Sequence, residues 1–440
     1  MMTKKWQPYP TYKDSGVEWL GAIPEHWENW KISHAFQKIG SGTTPSTNRY
    51  DYYDGDVPWI NTSELRENII TDTSVKITNK ALLDNSVLNL YSPGTLLIAM
   101  YGATIGRLGI LGITACTNQA CCALANPILL DTKFVFYWLW MRRNELIILS
   151  SGGGQPNINQ EKIRSIKIPA PPLPEQQKIA EFLDQETSKI DKLITKKERL
   201  IELLKEKRTA LISHAVTKGL NPDVPMKDSG VEWLGEIPEH WEVKRLKFLT
   251  RQIIDGTHFT PTYAVEGVPF LRVTDIQESV INFEQVKLIP ESEHKELIKR
   301  CNPEKGDLLL SKNGTIGVPR IVDWNHKFSI FVSLCLIKVR KLLSVHYSYY
   351  FFLSHEIKSQ MSYGTKTNTV MNLHLDKIRE FIFTFPPLPE QQKIAQFLDR
   401  ETSKIDNLIT KTRTSIDHLK EYRTALISAA VTGKIDVREH

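Results

Sequence analysis

Pro171-Pro-Leu-Pro-Glu-Gln-Gln-Lys-Ile-Ala180 recurs letter for letter as Pro386–Ala395. The copies stay in step downstream, where Glu186–Asp191 returns as Glu401–Asp406 and Arg208–Ser213 as Arg423–Ser428. Upstream, Asp14-Ser-Gly-Val-Glu-Trp-Leu-Gly-Ala-Ile-Pro-Glu-His-Trp-Glu28 returns as Asp228–Glu242 with one change, Ala22 to Glu236. The offsets are 214 at the front and 215 at the back, so the 440 residues are two copies of one unit of about 215 residues. That period is far too long for a solenoid.

Behind the repeated stretch the sequence reads as helix. Pro174 and Pro389 suit a first helical turn, and Glu175 and Glu390 suit its positive end. Ile179, Leu183, Ile190, Leu193, Leu200, Leu204 and Leu211 then step by threes, fours and sevens, answered by Ile394, Leu398, Ile405, Leu408, Leu419 and Leu426. These are coiled-coil seams with Lys- and Glu-rich outer faces, and Gly219 and Gly433 mark the exits. A helix of about 44 residues runs ~66 Å, more than one globular domain needs. If each intervening segment folds with its ends close together, the second domain sits where the first helix ends and the second begins, so the helices run antiparallel.

The intervening segments, Trp30–Ala170 and Val243–Phe385, diverge but share a skeleton: Val57-Pro-Trp-Ile60 matches Val268-Pro-Phe-Leu271, and Gly94-Thr-Leu-Leu97 matches Gly306-Asp-Leu-Leu309. Strand-like runs at Thr95–Ala99, Asp307–Leu310 and Ser329–Ile337 alternate with turn clusters. Helices are expected at Phe134–Ile148 and Tyr347–Met361, the aromatic stripe Phe134, Tyr137, Trp138, Met141 being core. The expected fold class is α+β: two mixed α/β domains separated by two long helices in an antiparallel coiled coil, with an internal pseudo-twofold repeat. The boundaries fall at 1–170, 171–220, 221–385 and 386–440.

Composition excludes other classes. With 41% hydrophobic and 24% charged residues the chain is neither disordered nor collagen-like. Five cysteines without a CxxC pair give neither a disulfide framework nor a zinc ribbon, and a cytoplasmic setting fits. The longest uncharged run, Leu108–Leu130, is broken by Gly109, Gly112, Asn118 and Pro127, and reads as buried strands and turns rather than a membrane span. Met1–Lys5 is not followed by the apolar stretch of a signal peptide. A phosphate-cradling Gly-x-x-x-x-Gly-Lys-Ser/Thr loop, an Asn/Asp-Pro-Pro-Tyr/Phe segment, His-Glu-x-x-His, Gly-x-Ser-x-Gly and metal-spaced His/Cys sets do not occur. The chain reads as a non-enzyme.

Two divergent segments, each opening near Gly-x-Ile-Pro-x-x-Trp (Gly21–Trp27, Gly235–Trp241) and closing on Pro-x-Leu-x-Glu-Gln before a long helix, resemble the specificity subunits of type I restriction–modification systems. The resemblance covers nearly the whole chain. It implies target-recognition domains in the divergent segments and conserved spacer helices that dock two methyltransferase subunits, through which restriction and motor subunits join. It implies double-stranded DNA as ligand, no membrane, and no cofactor in this chain, with S-adenosylmethionine, ATP and Mg on the partners. Domains of differing surface imply an asymmetric bipartite target, one half-site per domain. The competing reading is a non-catalytic coiled-coil scaffold linking two protein-binding domains.

The net charge of +6 is spread as +2, +2, +1 and +1 over the four segments, so charge alone marks no DNA face. Candidate DNA contacts are therefore polar and aromatic residues of Gly/Thr-rich loops. In the first domain they are Thr43, Thr44, Ser46, Asn48, Arg49, Tyr50, Asn61, Thr62, Arg107, Gln155 and Asn157. In the second they are Thr257, His258, Thr260, Tyr263, Arg272, Thr274, Lys312, Asn313, Lys366 and Asn368. Arg has the edge to pair with guanine, Asn and Gln with adenine; for each residue a turn-capping or solvated role is the competing reading. Gly42 and Gly256 are expected to serve backbone conformation.

Overall fold

A computed structural model describes residues 6–148, 157–277, 280–362 and 372–438. The chain divides into two compact units, Met1–Lys196 with Thr414–His440, and Lys197–Arg413. The long helices, Leu173–Lys218 and Leu388–Val431, each contribute one half to each unit.

The first unit opens with the antiparallel hairpin Tyr12–Asp14/Ala22–Pro24. Its main sheet has five strands in the order Phe36–Ser41, Cys121–Pro127, Leu96–Ala99, Leu108–Leu111, Asn68–Ile70, antiparallel except for the last pair. Tyr53–Ile60 lies between Cys116–Thr117 and Lys76–Ile77 in a smaller sheet. The uncharged run Leu108–Leu130 is thus strands and turns, and no helix among the described residues is long and apolar enough to cross a membrane.

The second unit repeats the plan with four strands, Thr250–Asp255, Leu334–Val339, Leu308–Ser311, Pro319–Ile321, beside Lys287–Ile289, Val268–Leu271 and Ser329–Ile330. Side chains alternate across a strand: Leu308 and Leu310 enter a core shared with Cys335 and Ile337, while Leu309 enters another with Leu334 and Leu336. The first of these cores also takes Ile212, Ala215 and Val216 from the end of the first long helix and Ile394, Ala395 and Leu398 from the start of the second. The second domain therefore sits on the helix ends that the sequence assigns to it.

Helix pairing is antiparallel within each unit. In the first, Lys178 Nζ donates to Arg438 O at 3.1 Å and, further along, Asp191 pairs with Arg423. In the second, Arg208 pairs with Asp406 at 3.0 Å and a Cβ on Gly219 would stand 3.5 Å from Glu390. The two ion pairs are the same pair of repeat positions, used once in each unit.

The seam keeps most of its expected members: Ile179, Leu183, Ile190, Leu204, Ile394, Leu398, Ile405 and Leu426 are buried, and Leu211 and Leu419 half-buried. Two members are corrected: Leu200 and Leu408 are exposed, the inward places going to Ile201 and Ile409; Leu193 is half-buried beside buried Ile194, as Leu211 is beside buried Ile212. Thr187, Thr402 and Thr412 are also buried, each hydroxyl donating to the carbonyl four residues back.

The identical motifs lock helix to domain. Gln176 Oε1 accepts from Asp131 N at 2.7 Å while its Nε2 donates to Leu129 O and Pro171 O, at 3.1 and 2.8 Å. Gln391 does the same with Ser344 N, Leu342 O and Pro386 O, at 2.7, 3.1 and 2.8 Å. Asp131 and Ser344 are the N-caps of the aromatic helices Thr132–Met141 and Val345–Leu353. Those helices are core, with Phe134 and Trp138 fully buried, and Tyr137 and Tyr350 reach across to Asp184 and Asp399 at 2.7 and 2.6 Å. The neighbouring Glu175 and Glu390 hold His26 and His240 at 2.9 and 2.8 Å. Gly433, at φ +70°, ends the second helix where a Cβ would meet Pro24 at 2.3 Å.

Gln391→Leu keeps the volume and leaves one N–H and two carbonyls without their partner. It is expected to lower the stability of its unit by about 2–4 kcal/mol, seen as an earlier urea midpoint. Gln392→Leu, exposed next door, should stay within about 0.5 kcal/mol.

Candidate nucleic-acid interface

In each domain several loops converge on one end of the main sheet through the same backbone pairings. In the first, Met100 N donates to Ala120 O and Ile158 N to Met100 O, at 2.8 and 2.9 Å, and Tyr101 bridges Asn157. In the second, Lys312 N donates to Ser333 O and Leu373 N to Lys312 O, at 2.9 and 2.8 Å, and Asn313 bridges Asn372. Gly42 and Gly256 pin the loop that follows the first strand: a Cβ would lie 1.7 Å from Thr117 O or 1.9 Å from Ile330 O. Neither has a positive φ, so the glycines are required by close backbone approach rather than by an unusual conformation.

Among the first-domain candidates, Thr44 meets Gln119. Thr44 Oγ1 donates to Gln119 Oε1 at 2.7 Å and Tyr101 OH to Gln119 O at 3.2 Å. Trp59 and Tyr53 hold the carbonyls of Thr43 and Pro45 at 3.1 and 2.7 Å, leaving Ser46, Asn48 and Tyr50 exposed, Tyr50 at 89%. Arg49 is gripped by both oxygens of Asp51 at 2.8 Å and lies over the Tyr52 ring at 4.5 Å. Hydrogen bonds from Arg49 and then Lys80 lower the pKa of Asp51 well below the usual carboxylate range. Asn61 caps the turn containing Thr62, its Oδ1 accepting from Ser63 N at 2.9 Å. Arg107 stands apart, near Glu67 and Arg143, its Nε buried without a hydrogen-bond partner. Gln155, Lys366 and Asn368 lie outside the described residues.

In the second domain Thr257 is buried and tied to Ile330 O and Val332 N at 3.1 and 2.9 Å, while His258, Thr260 and Tyr263 are exposed. Arg272 occupies the position of Asn61 and is held by Asp275 through two contacts of 3.2 Å. Thr274 Oγ1 donates to Asp275 Oδ1 at 3.3 Å. Lys312 is the correction among these candidates: its ammonium is buried 3.0 Å from Asp255 Oδ2, so it braces the loop from inside. Arg300 at 2.7 Å and His258 at 3.2 Å share the same carboxylate. Burial alone would raise the Asp255 pKa, but the hydrogen bonds from Arg300, Lys312 and His258 outweigh it and hold it at about 2. The first domain has Ser41 and Met100 at these two positions. Tyr101, Gln119, Phe259, Ser333 and Asn372 belong to the same loop ends and were not among the sequence candidates; aligning Met100 with Lys312 was the available signal. Among the described residues no cluster of His, Cys, Asp and Glu is placed to hold a metal.

The family model for the type I restriction modification DNA specificity domain matches twice, at residues 24–203 and 238–418. The chain belongs to this family. The specificity subunit of the type I restriction enzyme MjaVIII of Methanocaldococcus jannaschii is 28% identical over 437 residues, covering 94% of each chain. That of EcoKI of Escherichia coli strain K12 is 23% identical over 435 residues, covering 94% of this chain and 90% of its own. Among solved structures, a chain from work on complex assembly and conformational transition of the type I R-M system superposes with a TM-score of 0.74 at 16% identity, over 93% of this chain and 98% of that one. The HsdS subunit of Thermoanaerobacter tengcongensis gives 0.54 at 16% identity, over 94% and 98%. At that identity the likeness is one of fold. Both the α+β repeat with long helices and the non-enzymatic reading agree with membership of the specificity-subunit family.

Asp255→Ala leaves the Lys312 ammonium buried without this partner and is expected to cost about 3–5 kcal/mol. The double variant Asp255→Ser, Lys312→Met, which installs the first domain's pair, should recover most of that in urea unfolding. Because the folded carboxyl titrates below the unfolded value of about 3.9, the stabilisation is complete above about pH 4 and is lost as pH falls toward about 2; Asp255→Asn should flatten that acid dependence.

Proposed function

We propose that this chain is the targeting subunit of a type I restriction–modification complex, each domain reading one half of an asymmetric bipartite DNA target. The observation that carries the reading is the repetition of one loop framework with different side chains. Backbone pairings at Met100 and Lys312 match, while Asn61 is replaced by Arg272, Gln119 by Val332 and Ala120 by Ser333 as exchanged chemistry. A shared frame fixes where a groove is met, and exchanged side chains alter which base edges are read. Arg49 and Arg272, each held by a neighbouring carboxylate, are oriented before any ligand arrives. The complex acts in the cytoplasm.

The repeated helix segments serve two methyltransferase subunits, and through them the restriction and motor subunits. S-adenosylmethionine, ATP and Mg belong to those partners; this chain supplies position and no chemistry.

Methylome sequencing of a host with and without the gene should show loss of one split motif. Exchange of residues 30–170 for the corresponding segment of another family member should change one half of that motif and leave the other. An unchanged methylome in an otherwise active system, or a change in both halves, overturns the assignment. Arg49→Glu and Arg272→Glu should each weaken discrimination at one half-site by about 10-fold or more; unaltered preference in both variants would remove these residues from the readout.

A further inference from the structure

Asp14–Glu28 and Asp228–Glu242 are nearly identical although the segments that follow them have diverged. Packing accounts for part of this identity. Leu20, Ile23 and Trp27, with Leu234, Ile237 and Trp241, are buried in their units. It does not account for Trp19 and Trp233, which are 46% and 45% exposed, or for Glu18 and Glu232, also exposed.

The turn that carries them is built identically twice. Ser15 N donates to Gly21 O at 2.9 Å and Leu20 N to Val17 O at 3.0 Å, as Ser229 N does to Gly235 O at 3.0 Å and Leu234 N to Val231 O at 2.9 Å. Gly16 N and Gly230 N close onto Asp14 and Asp228 at 2.8 and 3.0 Å. The two indoles make different contacts. Trp19 is stacked by the Arg142 guanidinium at 3.7 Å and met by the edge of Trp138 at 6.3 Å. Trp233 borders an open cleft with Gln360, Lys377 and Phe381. A side chain dictated by its own unit would differ where its surroundings differ. This one is kept, in one rigid turn, on two different backgrounds.

We propose that Trp19 and Trp233 are twin anchors for two copies of one protein partner, each indole entering an apolar pocket whose rim carries a cation facing Glu18 or Glu232. The inference rests on the reading above, in which the chain docks two methyltransferase subunits, and it names where each subunit grips. A half-exposed tryptophan on a pre-formed turn is the kind of residue that dominates protein interfaces, since little conformational freedom is lost on docking. Nucleic acid is disfavoured as the occupant because Asp14, Glu18, Glu25 and Glu28 are exposed in the same segment and repel phosphate. Surfaces that read different half-sites would also have no reason to stay identical.

The test uses the full chain and its modification subunit, with stoichiometry from native mass spectrometry and affinity from titration. Trp19→Ala and Trp233→Ala should each remove one of two bound subunits or weaken it by at least about 10-fold, and the double variant should lose both. Glu18→Lys and Glu232→Lys, both at exposed positions, should weaken assembly in the same direction without moving the thermal unfolding midpoint, and Trp→Phe at either place should retain part of the affinity. Two subunits bound at wild-type affinity by the double variant overturns the inference. So does loss of DNA affinity with assembly intact, which would make the turn a nucleic-acid contact. Wild-type chain that captures no modification subunit overturns the parent reading along with it, whereas the first of these outcomes leaves that reading standing.

Discussion

The buried carboxamide of Gln176, and its repeat in Gln391, is the interaction on which the arrangement turns. One planar group satisfies one N–H and two carbonyls contributed by the cap of an aromatic helix, the segment before it, and the proline stretch that opens a long helix. Unpaired, these groups would cost more than any surface contact returns, so the helix can leave its domain in one direction only. Glu175 and Glu390, one residue earlier, fasten the opening hairpin region to the same helix start through His26 and His240. That is why motifs separated by about 150 residues in sequence, each meaningless alone, are retained together in both copies.

Each unit also takes the terminal part of the other long helix. In the second unit Ile212, Ala215 and Val216 share a core with Ile394, Ala395 and Leu398. In both units the same ion pair, Asp191–Arg423 or Asp406–Arg208, recurs between the helix halves. Neither copy of the repeat is therefore a self-sufficient folding unit by contact: each domain is completed by residues from the other copy's helix.

The repeat, the helices and their antiparallel course were legible because identity at a fixed offset is independent of propensity. The seam was legible only to within one residue. Leu193-Ile194, Leu200-Ile201 and Leu408-Ile409 are apolar at both places, so hydropathy cannot choose between them; the structure takes isoleucine inward each time. Thr187, Thr402 and Thr412 escaped notice for a different reason. Their hydroxyls are satisfied by the carbonyl one turn back, which lets a polar residue occupy a buried position that an apolar pattern passes over.

The loop ends were legible as places but less so as chemistry. Arg49, Arg272 and Lys312 looked alike in sequence, being cations in Gly/Thr-rich stretches, yet each is already matched to an aspartate, and Lys312 has been drawn inside altogether. Asp255 and Lys312 stand where the first domain has Ser41 and Met100, so divergence between the domains reaches below the surface. A buried ion pair gives little net stability over an apolar or neutral pair of the same volume, and its retention here points to position rather than stability. With Arg300 and His258 on the same carboxylate, Asp255 ties together the strand end, the loop that follows it and the loop at Asn313. A recognition surface whose side chains are free to vary needs some such internal brace, because the backbone frame beneath it has to stay still while the edges it presents are exchanged.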